Sequence, residues 1–114
     1  MKTIIAGLAG LLALSTAALA HHGWSGYEQD LQKVSGTIEQ PSYENPHGSV
    51  RLKTADKTWV VVLAPPTRME ARGLTREMLK AGTTATAEGY QHRTDTGEMR
   101  AERITIGGKT IELR

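Results

Sequence analysis

The chain contains no cysteine and no phenylalanine. The first absence rules out disulfides, thiolate metal sites and cysteine nucleophiles. Without disulfides, a small domain must rely on its core alone. The second absence leaves Trp24, Trp59 and the valine, isoleucine and leucine set to supply most of the apolar burial. A hydrophobic run long enough for a membrane span of about 20 residues is also missing. The longest, at residues 4–14, is interrupted by Gly7 and Gly10 and ended by Ser15 and Thr16.

That short run has a different reading. Lys2 ahead of it and Ala18-Leu19-Ala20 behind it complete the three parts of a secretory signal peptide. The expected organisation is a leader over residues 1–20 and a single domain over residues 21–114. The mature chain of about 94 residues suits one small domain. Small residues at −3 and −1 favour cleavage after Ala20, which makes His21 the first residue; cleavage after Ala18 would put histidine third. Net charge is scarce as well. Without Lys2 the chain carries 13 basic and 12 acidic side chains. Near-neutrality gives little support for nucleic acid or an anionic membrane as partner.

The remaining chain reads as strands. Residues 21–32 lack a clear period and read as an extended arm. Residues 33–40 (KVSGTIEQ) alternate, with Val34, Gly36 and Ile38 on one side. Residues 41–48 (PSYENPHG) have loop chemistry. Residues 49–54 and 57–63 form a β-branched pair that looks like a hairpin. Pro65-Pro66 stops it. Thr67 is placed to cap a short helix that ends at Gly73, and a second helical segment follows Thr75, with Met78 and Leu79 as its buried side. Further strands are expected at 83–90, within 98–106 and at 109–113, the last two joined by a Gly107-Gly108 turn. Three strands, a helical connection and two or three more strands predict an all-β, five- to six-stranded OB-like barrel. An open β-sandwich is the alternative.

The four histidines are His21, His22, His47 and His92. In the barrel reading, His47 lies in the loop after strand one and His92 in the loop after strand four. Those loops border one ligand-binding face. The arm, up to about 40 Å when extended, is long enough to run back along strand one and reach that end. If His21 is residue one, its amine and ring Nδ1 can chelate a single ion. An imidazole from His47 or His92 would complete a T-shaped set of three nitrogens, a histidine brace, which suits Cu(II). Ordinary pKa values of about 6.5 for imidazole and about 7.7–8.0 for the amine leave proton competition weak at neutral pH. The alternative terminus, with histidine third, would also bind Cu(II). The plainer reading is that His21 and His22 are solvated and His47 merely satisfies a turn carbonyl. Trp24, Tyr27, Asn45 and Tyr90 either line a ligand face or pin the arm to the barrel. Arg68, Arg72 and Arg76 could form a basic strip, but Glu70 and Glu77 between them favour a mixed, solvated face.

The motifs H-H-G-W-S after the leader, N-P-H after the first strand, R-G-L-T before the second helical turn and L-K-x-G before strand four resemble those of a family of small exported bacterial proteins that carries only a domain-of-unknown-function label. The matching positions are His21, His22, Trp24, Ser25, Asn45, Pro46, His47, Arg72, Gly73, Thr75, Leu79, Lys80 and Gly82. Members commonly have Trp at the position of Leu74 and Asp at that of Thr83. The resemblance implies a periplasmic β-barrel domain and brings no established activity.

Three functions follow as expectations. The first is a periplasmic or secreted copper-binding module using His21, His47 and His92, with His22 beside them, that stores, senses or passes on the ion. The second is a metal-free adaptor that binds a small molecule or a periplasmic protein. The third is a copper oxygenase, for which neither a substrate platform nor an electron route is visible. No Ser/His/Asp set, paired carboxylates or phosphate-binding glycine loop stands out, so hydrolase and nucleotide chemistry have no support.

Overall fold

The computed structural model describes residues 24–114. The expected leader and the expected ligands His21 and His22 lie outside the described residues. The elements are β1 (Tyr27–Ser42), β2 (Ser49–Lys53), β3 (Thr58–Val62), helix α1 (Pro66–Ala71), a 3-10 turn at Glu77–Leu79, β4 (Thr84–His92), β5 (Glu98–Ile106) and β6 (Lys109–Glu112). They form one sheet in the order β3-β2-β1-β4-β5-β6. A parallel pairing of β3 with β5 closes the sheet on itself, so β1, β2, β3, β5 and β4 make a ring of pairings with β6 outside it. This is the all-β, OB-like arrangement that the element order predicts, with α1 and the 3-10 turn between strands three and four. The second edge of β5 is divided: residues 98–100 face β3 and residues 103–106 face β6.

Alternation explains the core. In β2 and β3 every second side chain is buried, placing Val50, Leu52, Trp59 and Val61 inside. Each such side chain stabilises the fold by about 1.5–3 kcal/mol when fully buried. From the helical connection, Met69, Leu74 and Leu79 are fully buried against the same cluster. Tyr43 joins them, and its hydroxyl donates to the Leu74 carbonyl at 2.6 Å.

Strand one differs from expectation at both ends. Residues 27–32, expected in an arm, pair with β4 from Tyr27↔His92 to Gln32↔Gly89, and the pairing continues to Thr37↔Thr84. Both faces of residues 28–31 are exposed, so no two-residue period marks them in the sequence. Its last residues, read as loop, pair Pro41 with Val50 and Ser42 with Ser49. A proline is tolerated there because it sits at the strand's end. The arm therefore does not double back along strand one; it is the start of that strand. The helix also starts differently. Pro65 is its N-cap and Pro66 occupies the first turn, where a missing N–H costs nothing. Thr67 makes no cap. The second helical segment is only the 3-10 turn, with the Met78 amide donating to Thr75 Oγ1 at 3.3 Å.

Candidate functional site

The strand registers set one row of residues across the ring: Ser49 on β2, Val62 on β3, Arg100 on β5, Tyr90 on β4 and Leu31 on β1. Arg100 is thus a direct neighbour of both Val62 and Tyr90. Its strand comes close to β4 because residue 89 is glycine. A Cβ there would lie 2.2 Å from the Arg100 carbonyl oxygen, and the register shifts at that point.

Trp24 lies over this region. Its backbone is tied by a turn in which the Tyr27 amide donates to the Trp24 carbonyl at 3.1 Å. Arg93 secures the same turn: its amide donates to the Gly26 carbonyl at 2.8 Å and its Nε to the Tyr27 carbonyl at 3.0 Å. The indole meets Tyr90 edge-on, with centroids 5.9 Å apart, and Tyr27 at 6.3 Å. Two guanidinium carbons lie near its ring centroid, Arg100 at 4.2 Å and Arg114 at 4.4 Å. Arg114 also pairs with Glu102 at 3.1 Å. The Tyr27 hydroxyl donates to Glu98 Oε2 at 2.5 Å. Burial first, and then that carboxylate, push the Tyr27 phenol well above its ordinary range.

The histidines occupy different environments. His92 is the last residue of β4, its ring edge-on to Tyr27 at 5.1 Å. Its Nδ1 accepts from the amides of Thr94 and Asp95 at 3.2 and 3.0 Å, so it caps the β4–β5 turn and leaves Nε2 as the remaining nitrogen. His47 follows the cis Asn45–Pro46 bond and precedes Gly48, whose amide donates to the Ala64 carbonyl at 2.8 Å. Gly48 is confined: a Cβ would fall 2.3 Å from Met69 Cε and 3.1 Å from the Ser42 carbonyl oxygen. His47 is half-buried. Burial, then the charges of Arg100 and Arg68, hold its imidazole below the ordinary value. That favours the neutral ring, the state a metal ligand requires.

Among the described residues no group of three or more His, Cys, Asp or Glu side chains is arranged to hold a metal ion. His92 borders the aromatic–arginine cluster through Tyr27, and the charge of Arg100 acts on His47. Trp24, Tyr27 and Tyr90 come together there, whereas Asn45 is exposed at the outer turn. The arginines of the helical connection form no basic strip; they are dispersed among backbone carbonyls. Arg68 donates to Leu113, Arg72 to Glu112 and Arg114, and Arg76 to Tyr43. Arg100, Arg114 and Glu98 were not legible as site residues. Their convergence depends on the β3–β5 and β4–β5 registers, which leave no local motif.

The class defined by these features is an all-β, OB-like domain whose first turn is pinned by aromatic and guanidinium groups to one region of the sheet. The chain belongs to the DUF6152 family, a family of unknown function, whose profile matches residues 8–100. A search of curated proteins returns no match. Among solved structures it is similar to part of the ZRD-deleted mutant of TiaS in complex with agmatine. The TM-score is 0.52 at 18% identity, over 74% of this chain and 24% of that one. Apo TiaS, a tRNAIle2 agmatidine synthetase, aligns at a TM-score of 0.48 and 18% identity, over 67% of this chain and 18% of that one. The chain thus spans about a quarter or less of these proteins, and the first likeness shows the fold alone.

Proposed function

We propose that the protein is an exported copper-binding module in which the amine and ring of a mature amino-terminal His21 hold Cu(II) together with His47. The observation that carries this reading is the anchoring of Trp24. It ties the chain three residues beyond His21 beside Arg100, whose charge also acts on His47. Three residues span at most about 10 Å, so an ion bound at the terminus stays in this neighbourhood. The neutral His47 ring supports the same reading. His92 is the weaker candidate because one ring nitrogen already serves the turn. The domain would store, sense or pass on the ion.

Intact mass of the exported protein gives its first residue, and Cu(II) titration of the metal-stripped chain gives the affinity. The expected result is a mature start at His21 and saturable 1:1 binding. His47→Ala should weaken it by about 100-fold or more and His92→Ala by much less. A different first residue together with no saturable binding would refute the brace and leave the metal-free adaptor as the function to pursue.

A further inference from the structure

We propose that a concavity on the outer face of β1, β2 and β3 binds a small zwitterion, an amino acid or a dipeptide, by its ammonium and its carboxylate. This inference does not depend on copper, because none of the residues that carry the copper reading lines the concavity. Its volume is about 540 Å³, within the range of small-molecule sites, and it is bordered by Glu39, Gln40, Ser42, Ser49, Arg51 and Val60. The strand registers build it as adjacent rows. Arg51 lies between Gln40 and Val60, and Ser49 lies opposite Ser42. Glu39 joins them through an irregularity in β1. The pairing with β2 passes from Ile38↔Leu52 to Gln40↔Arg51 and leaves residue 39 over. Strict alternation would place Glu39 and Gln40 on opposite faces. The bulge leaves both exposed beside the buried Ile38, and so re-aims the Glu39 carboxylate.

The lining has hydrogen-bonding capacity that the fold does not use. Among the described residues no hydrogen bond or ion pair engages the side chains of Glu39, Gln40, Ser42, Ser49 or Arg51. A carboxylate and a guanidinium thus border one concavity without pairing with each other. An ion of one sign would leave one of them unmatched. A ligand with one charge of each sign meets both: its carboxylate takes the planar fork of Arg51, and its ammonium donates to Glu39. The serine hydroxyls and the Gln40 amide donate and accept, which suits a peptide group. Pro41 and Val60 offer aliphatic surface to a side chain. No aromatic ring lines the concavity, so a ligand that binds by stacking, such as a nucleobase, has no platform there.

The experiment uses the metal-stripped exported protein, because amino acids themselves ligate copper. L-Valine, L-valyl-L-valine, N-acetyl-L-valine and L-valinamide are titrated separately at constant ionic strength, and backbone amide signals are followed by NMR. The expected result is saturable movement of the Gln40, Ser42, Ser49, Arg51 and Val60 signals with valine, the dipeptide or both, while the β4–β5 turn stays still. A response to the dipeptide alone assigns a peptide ligand, and a response to valine alone a free amino acid. Equal responses assign a general zwitterion site. N-Acetyl-L-valine lacks the ammonium and L-valinamide the carboxylate, so each should bind about tenfold more weakly than valine. Glu39→Gln and Arg51→Gln, both at exposed positions, should weaken the zwitterion about tenfold each. No saturable response to valine or the dipeptide overturns the proposal. So does equal binding of the acetylated and amidated probes, a readout that needs no variant to fold, and so does binding that survives both substitutions unchanged. Because metal is absent throughout, such a failure leaves the copper reading standing, and failure of copper binding leaves this site standing.

Discussion

Replacing Trp24 with alanine removes the side chain that joins the start of β1 to β4, β5 and the end of the chain. The backbone bonds of the first turn, from Tyr27 to Trp24 and from Arg93 to Gly26, do not involve the side chain and remain. The loss is therefore confined to the ring contacts. Two guanidinium–indole contacts contribute roughly 0.5–1 kcal/mol each at a half-exposed site. The edge-on pair with Tyr90 adds roughly 0.5–1.5 kcal/mol. Together these predict a destabilisation of about 2 kcal/mol for Trp24→Ala, and about half of that for Trp24→Phe, which keeps an aromatic face. Urea unfolding followed by far-ultraviolet circular dichroism measures it, since fluorescence would change through loss of the probe itself. The midpoint should fall with an unchanged slope. A double-mutant cycle with Arg114→Ala should return a coupling of about 0.5–1 kcal/mol. A Trp24→Ala chain within about 0.5 kcal/mol of the parent would refute the claim that the indole anchors the arm. The spatial argument that brings His21 to His47 would go with it.

Gly89→Ala should be among the most damaging single-methyl changes in the chain. The added carbon meets the Arg100 carbonyl at 2.2 Å, backbone against backbone, so β4 and β5 must part. A loss of about 3 kcal/mol or more in the same unfolding assay is expected, with exchange of the Tyr90 and Arg100 amides accelerated. Stability should also depend on pH through His47. Its pKa is lower folded than unfolded, so the unfolded chain takes up the proton first. Stability is full above about pH 6.5 and falls as the pH drops through and below it, levelling once the folded ring is also protonated. His47→Gln should flatten that part of the profile in metal-free buffer. His92→Ala removes the acceptor for two turn amides and should cost about 1–2 kcal/mol, with exchange at Thr94 and Asp95 raised.

The fold was legible where alternation met turn chemistry. Residues 49–53 and 58–62 bury every second side chain, and Gly107-Gly108, both with positive φ, form the last hairpin turn. The first half of β1 was not legible, because a strand exposed on both faces has no apolar period to read. A threonine after two prolines looks like a cap, but the prolines themselves begin the helix. At the site, Trp24 and Tyr27 stand out by rarity, in a chain with two tryptophans and three tyrosines. Arg100 and Arg114 do not stand out among 14 basic residues. Only the pairing of Tyr90 and Val62 with residue 100 places that arginine under the indole.

The arginines bear on the copper reading in two opposing ways. Behind burial as the main cause, their charge lowers the His47 pKa, which favours the unprotonated nitrogen that a metal takes. The same charge repels the metal. A divalent ion feels the same field twice over, so these arginines disfavour Cu(II) more than they disfavour the proton.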